Sequence, residues 1–310
     1  MKTFLAGSFF FIAGYAIGMQ LILESPKNVY YEEETVLLHL TILNDSSTTE
    51  SHIIEFLQPR ERNWMYIGNL HKLEIKDIAE MQNFTNHMPP EPKPHSPRTN
   101  KNYKPVVLNP GEDYKILIPF FYDYYPVRLP ATFNVKLRWL DSFSNSVVFN
   151  ILPTKGTRKR DNLIVNGDFS EGENNTPYGW KTLDDRTKWD SSQKFLMFTV
   201  DRKTAEAEGY WAYSIFHEIS CPGEYILSIR TKTSGPTIII FVEGWGIVHE
   251  RKRRIERNEC FYHQPPNQTW ETQTRKVRFI NPEVKWMRLK LYVYGSPGKV
   301  WFSELSMVSK

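Results

Sequence analysis

The stretch Val284-Lys285-Trp286-Met287-Arg288-Leu289-Lys290-Leu291-Tyr292-Val293-Tyr294 sorts into two faces. Successive side chains of a β-strand point to opposite sides of the sheet. Met287, Leu289, Leu291 and Val293 therefore face one way, and Trp286, Arg288, Lys290, Tyr292 and Tyr294 the other. The aliphatic set is a core face. The opposite set leaves three aromatics and two cations outside that core, which exposes apolar area to water unless something covers it. A bound ligand would cover such a strip, and so would packing against another part of the chain. Periodicity leaves both open.

Two further strands bring aromatics: Tyr210-Trp211-Ala212-Tyr213-Ser214-Ile215-Phe216, and Thr237 to Val248 with Glu243 and Trp245. Trp211 and Tyr213 share a face, but alternation alone allows that face to be the core side, with Ile215. In the first half of the chain, Val36, Leu38, Leu40 and Ile42 alternate with Leu37, His39, Thr41 and Leu43. Leu108-Asn109-Pro110-Gly111-Glu112 reads as a turn, Tyr114 to Phe121 as a strand, and Thr132 to Leu140 as a strand with Phe133, Val135, Leu137 and Trp139 on one face. Short alternating strands separated by turns predict a sandwich.

At 310 residues the chain is long for one sandwich and suits two domains plus a targeting segment. With 40% hydrophobic and 14% aromatic residues it can bury real cores. Its 39 basic and 35 acidic residues are mixed along the length and sum to +4, too mild a charge to point to nucleic acid. Residues 1–18 read as a signal peptide: Lys2 precedes a nearly all-apolar run from Phe4 to Ile17, and Ala16-Ile17-Gly18 offers small residues for cleavage after Gly18. An uncleaved anchor, and so a membrane partner, is the alternative if the apolar run extends to Leu23. The expected location is outside the cytoplasm: extracellular, at the cell surface, or periplasmic.

Residues 19–151 form the first expected domain, interrupted at 82–105 by a long loop holding Pro89, Pro90, Pro92, Pro94, Pro97 and Pro105, since proline lacks a ladder donor. His87 and His95 in that loop have no carboxylate or Cys at ligand spacing. The polar, basic stretch 152–161 reads as a linker, and 162–310 as the second domain.

The first domain loosely resembles the immunoglobulin-like domains of exported bacterial proteins. The second opens with Asn162-Leu163-Ile164-Val165-Asn166-Gly167-Asp168-Phe169 and Pro177-Tyr178-Gly179-Trp180, continues through Pro222-Gly223-Glu224-Tyr225, and closes with Trp270 to Val308, including Gly298-Lys299-Val300-Trp301-Phe302-Ser303-Glu304. In these motifs it resembles the jelly-roll carbohydrate-binding modules attached to xylanases and glucanases. The resemblance implies an all-β fold: an immunoglobulin-like β-sandwich followed by a galactose-binding-like jelly roll. It also implies that Trp180 and Trp301 belong to the core. Relatives commonly hold a structural calcium, for which Asp168, Glu171 and Glu304 are the carboxylates in place. Ser170 and Ser303 stand where relatives carry further acids, which weakens that set.

The run His249-Glu250-Arg251-Lys252-Arg253-Arg254-Ile255-Glu256-Arg257 has interleaved acids and reads as a solvated hairpin or short helix, with a site for an anionic polymer as the sharper reading. No His follows at metalloprotease spacing, and there is no phosphate loop or Gly-x-Ser-x-Gly elbow, so the chain is not expected to be an enzyme. Asn44, Asn83, Asn174 and Asn267 each open a glycosylation triplet. Cys221 and Cys260 lie in one exported domain, where a disulfide between them is chemically allowed; two buried thiols are the alternative. The expected function is non-catalytic recognition of a glycan or polysaccharide through Trp286, Arg288, Lys290, Tyr292, Tyr294, Trp211, Tyr213 and Trp245. The alternative is a structural or adhesive part of a surface protein assembly.

Overall fold

The computed structural model describes residues 18–52, 72–77, 82–85, 106–120, 122–139, 142–181, 186–207, 209–248, 251–262, 266 and 268–310. The expected signal segment before Gly18, most of the proline-rich loop with His87 and His95, the pair His249-Glu250 and Asn267 lie outside them. Among the described residues no helix is long and apolar enough to cross a membrane.

The chain is all-β, as its alternating strands predict, and gathers into two compact units. The first holds residues 1–26, 37–118 and 133–148. There Val36–Asn44 lies between Met19–Glu24 and Asp113–Phe120, and Leu38, Leu40 and Ile42 are buried while Leu37 is exposed. Lys72–Asp77 pairs with both Gln82–Thr85 and Ala131–Trp139, and the last strand buries Phe133, Val135 and Leu137. Asn44 is fully buried and donates to the Thr48 and Leu108 carbonyls, so its side chain is not open to a glycan in the folded state.

The second unit holds residues 27–36, 119–132 and 149–310. One sheet runs in the order Trp180–Lys181, Tyr210–Ser214, Trp286–Tyr294, Thr237–Val248, Arg251–Tyr262, with His217–Glu218 also paired to Trp286–Tyr294. The facing sheet runs Thr187–Asp190, Phe195–Val200, Gly298–Ser309, Gly223–Thr233, Glu271–Phe279. One core lies between them: Met287, Leu289, Leu291 and Val293 with Ile238, Ile240 and Val242 meet Phe198, Leu227, Ile229, Phe279 and Phe302. This is the expected two-sheet sandwich.

The opening motif folds onto the closing strand. Asn162 Oδ1 accepts from the Met307 amide, and the Leu305 amide donates to the Gly167 carbonyl. Gly167 is required there because a Cβ would stand 2.0 Å from the Leu305 carbonyl oxygen. In residues 152–161, the Thr157 amide and hydroxyl both donate to Glu171, and Arg158 bridges to Val165.

Three expectations are corrected. Trp180 is fully buried, but Trp301 is only half-buried, on the outer face of its sheet under the Lys232 ammonium at 4.3 Å. Strand parity decides this, because Val300 and Phe302 point inward and Trp301 cannot join them. Parity is then reset at Glu304, whose φ is 48°, so that Leu305 and Met307 also point inward. The basic run belongs to a hairpin, as one of its expected forms has it, since Arg251–Tyr262 is antiparallel to Thr237–Val248 with Val248 opposite Arg251, but it is not simply solvated, because Lys252 is buried.

The third correction concerns the cysteines, which are free thiols. Cys260 is buried and Cys221 half-buried. Burial raises both thiol pKa values, Cys260 to about 11.

Two stability predictions follow from this core. Leu289→Ala or Leu291→Ala should cost about 2–5 kcal/mol through lost burial and a cavity, read from urea unfolding. His217 is fully buried, neither ring nitrogen has a hydrogen-bond partner among the described residues, and burial depresses its pKa from 6.5 to about 3. Between those values the unfolded chain takes a proton that the folded chain does not. Stability should therefore fall on acidification through that window, by at most ~1.4 kcal/mol per pH unit from this group. The urea midpoint of His217→Phe should depend less on pH there than that of the parent.

Candidate functional site

The outer face of the Trp286–Tyr294 strand is built by register. Trp211 lies opposite Tyr292 and Tyr213 opposite Lys290 on one flank. On the other flank Ile239 faces Tyr292, Phe241 faces Lys290, Glu243 faces Arg288 and Trp245 faces Trp286. Trp211 and Tyr213 thus share the strip's face, and Tyr210 and Ala212 take the core side. All eight expected residues lie on one sheet face, which divides into two halves of different character.

The first half is closed. Arg288 is buried, with its guanidinium 4.2 Å from the Tyr213 ring centroid, 4.5 Å from that of Trp245 and 4.9 Å from that of Phe216. It donates through Nη2 to Glu243 Oε2 at 3.3 Å, and its Nη1 lies 3.6 Å from Asp123 Oδ2. Lys181 donates to the same Asp123 oxygen at 3.1 Å, and Arg254 donates to Glu243 Oε1 at 2.9 Å. The Trp245 indole also donates to Glu243. Lys252 lies 4.8 Å from the ring centroids of both Phe216 and Trp286.

Burial works to raise the pKa of Asp123, but the charges of Lys181 and Arg288 outweigh it and hold the carboxyl below its usual range. Glu243 is likewise pushed up by burial and pulled further down by Arg288 and Arg254. Both remain ionised at neutral pH. Glu32 goes the other way: burial raises it to about 6 despite the nearby charges of Lys181 and Lys252. The Tyr122 hydroxyl donates to the Glu32 carbonyl.

The second half is more open. Lys290, Tyr292, Tyr294 and Phe241 are half-buried, beside a buried Trp211. Tyr292 and Tyr294 stack with centroids 5.6 Å apart, and Phe241 is also 5.6 Å from Tyr292. The Lys290 ammonium is 3.9 Å from the Trp211 ring and 5.2 Å from that of Tyr292. Arg257 lies over the outer side of this group, 4.8 Å from Phe241, and bonds Glu259. Gly209 makes room for the Tyr292 ring: at φ 75°, a Cβ there would meet both the Val293 carbonyl and the tyrosine ring.

Sequence reasoning overlooked Phe241, though the same period of two that aligned Glu243 with Trp245 places it on their face. It also had no signal for Asp123, whose strip partners are distant in the chain.

The expected calcium carboxylates are not gathered. Asp168 is bonded by Lys159 and Ser170, Glu171 by Thr157, and Glu304 by Arg230. Among the described residues no cluster of three or more metal-capable side chains occurs. A hard cation needs several oxygens converging on one point, so these residues do not fit it.

No protein-family model matches the chain, and no curated protein matches it. Among solved structures it is similar to the enzymatically active domain of bacteriophage CBA120 tailspike protein 4, at 12% identity and a TM-score of 0.37, over 52% of this chain and 25% of that one. It is also similar to a structure described as Family 16 Carbohydrate Binding Module-2, at 13% identity and a TM-score of 0.35, over 47% of this chain and 99% of that one. A structure described as CBM4 matches at 12% identity and a TM-score of 0.33, over 47% and 99%. The resemblance to jelly-roll modules is thus met again among solved structures. At scores this low the matches carry no argument about ligand or site.

The closed half yields a prediction of its own. Asp123→Ala leaves the buried Arg288 and the half-buried Lys181 without their shared carboxylate and should cost about 3–5 kcal/mol, measured by urea unfolding. A loss below about 1 kcal/mol, the range of an exposed pair, would show that water reaches the network.

Proposed function

We propose that the protein is an exported, non-catalytic binding protein that takes a glycan or polysaccharide on the open half of this face. The observation that carries the reading is the row of half-buried rings, Phe241, Tyr292 and Tyr294, on a strand whose other side already supplies a complete aliphatic core. The fold does not need these rings as its core, and they leave apolar area partly in water. A pyranose presents axial C–H groups on one face and hydroxyls at its rim. The first stack on tyrosine and phenylalanine rings, and the second bond to Lys290 and to tyrosine hydroxyls.

Two carboxylates of the closed half, Asp123 and Glu243, act as structural anchors: they are held ionised by Arg and Lys partners and are committed to them. Neither offers the raised pKa of a general acid at neutral pH.

The test is calorimetric titration of the full chain against soluble polysaccharides. Tyr292→Ala should weaken binding by roughly 1–3 kcal/mol, on the scale of aromatic platforms that stack flat ligands, with little change in the urea midpoint. Trp245→Ala should instead destabilise the fold, because that ring packs against Arg288 and Phe216. Absence of binding to every glycan by the unmodified protein would overturn the reading and favour a role in a protein assembly.

A further inference from the structure

We infer that the outer face of the opposite sheet, which runs from Thr187–Asp190 to Glu271–Phe279, binds a polysaccharide carrying carboxylate or sulfate groups. This site is separate from the open half and does not rest on the reading given to it above. Its ground is charge rather than exposed rings, because Trp301 and Trp270 are already packed under cations. One row crosses four strands in register: Lys188 faces Met197, Met197 faces Trp301, and Trp301 faces Lys232. Parity turns this row away from the core, since Leu196, Phe198, Val300 and Phe302 take the inward side. Lys188 and Lys232 thus stand three strand spacings, or about 14 Å, apart. Lys299, two positions before Trp301, is exposed on the same face.

Among the described residues no carboxylate pairs with Lys188, Lys232 or Lys299. The acids of these strands are occupied or turned away. Glu304 pairs with Arg230, and Asp190 accepts from the Ser192 and Gln193 amides of its own turn. Glu224 meets three cations at once, Lys276, Arg278 and Lys310, and Glu271 lies opposite the buried Thr231 on the inward parity. The face therefore carries an excess of positive charge. Lys232 is the sharpest case: it is half-buried, with its ammonium 4.3 Å from the Trp301 ring centroid and 5.3 Å from that of Trp270. On the first sheet the ring-held Arg288 receives Glu243 and Asp123 from the chain itself. Lys232 is held by rings in the same way and receives no acid from the described residues. An ammonium only donates hydrogen bonds, so the group that completes it is an acceptor, and an anion is the strongest acceptor.

The rings narrow the kind of polymer. Covered by their own cations, they offer no open platform on which bases stack, which disfavours a single-stranded nucleic acid. None of the described large apolar side chains that are exposed lies on these five strands, so nothing here enters a bilayer. An extended chain of acidic sugars needs neither feature. Lying along the row, it meets Lys188 and Lys232 with successive anionic groups.

The experiment titrates the full chain at neutral pH and about 0.02 M salt with an oligogalacturonate and a dextran sulfate oligomer, which separate carboxylate from sulfate. A thymidine oligonucleotide and phosphatidylglycerol vesicles are the rival polyanions. At least one acidic oligosaccharide should bind, neutral dextran should not displace it, and its affinity should fall at least about tenfold at about 0.15 M salt. Lys232→Gln should weaken that binding about fivefold or more, while Lys232→Arg should keep it. Lys203→Gln, the same charge change on the Arg202–Ala207 helix, should leave it within about twofold. Lys188→Gln combined with Lys299→Gln, at two exposed positions, should weaken it as well. Failure of both acidic oligosaccharides to bind at low salt would overturn the inference, and so would binding that neither Lys232→Gln nor the double variant weakens. Tighter binding of the oligonucleotide or the vesicles would overturn the assignment to a polysaccharide. The glycan reading of the open half is decided separately, by Tyr292→Ala.

Discussion

The Arg288 guanidinium organises the second unit's outer face. It is buried among three aromatic rings and pairs with carboxylates from two different parts of the chain, Glu243 on the adjacent strand and Asp123 in the 119–132 segment. An arginine so placed cannot lose its proton, so its charge must be met where it lies. Meeting it draws in Asp123, which in turn receives Lys181, while Glu243 receives Arg254 and the Trp245 indole. The side chains at this end of the strip are thereby committed, and Lys290, Tyr292, Tyr294 and Phe241 form its more open remainder.

The division of the face follows from how cost differs between charges and rings. A buried charge without a partner costs several kcal/mol, so the chain covers Arg288 with its own acids. A half-exposed tyrosine costs far less, since apolar area is charged at about 25 cal/mol per Å², and a folded protein tolerates a few such rings. One strand therefore carries both a structural anchor and an open surface, with the transition falling between Arg288 and Lys290.

The opposite sheet shows a related arrangement. Lys232 sits between Trp301 and Trp270, at 4.3 and 5.3 Å from their centroids, and Arg230 lies over Trp270 while pairing with Glu304. These contacts shield both rings, of which strand parity places Trp301 outside the core, so half-buried tryptophans there have a packing explanation without a ligand.

By itself the sequence determined the strand character and the two faces of Trp286–Tyr294, because a period of two needs only neighbouring residues. It likewise carried the opening and closing motifs, although the reason for Gly167, its close approach to the Leu305 carbonyl, shows only in the fold. Long-range pairing decided the rest. Whether Trp211 and Tyr213 faced the core depended on their register with Tyr292 and Lys290, and Trp301 was misplaced because a motif was weighed above parity. The basic run's hairpin was one of two forms the sequence allowed, and pairing with Thr237–Val248 decided it and buried Lys252. Sequence left the state of the two cysteines open, and in the fold both are free thiols. Asp123 reached Arg288 across most of the domain's length. Only the folded chain sets which half of an aromatic strip is covered, because the covering group comes from residues that alternation cannot link to it.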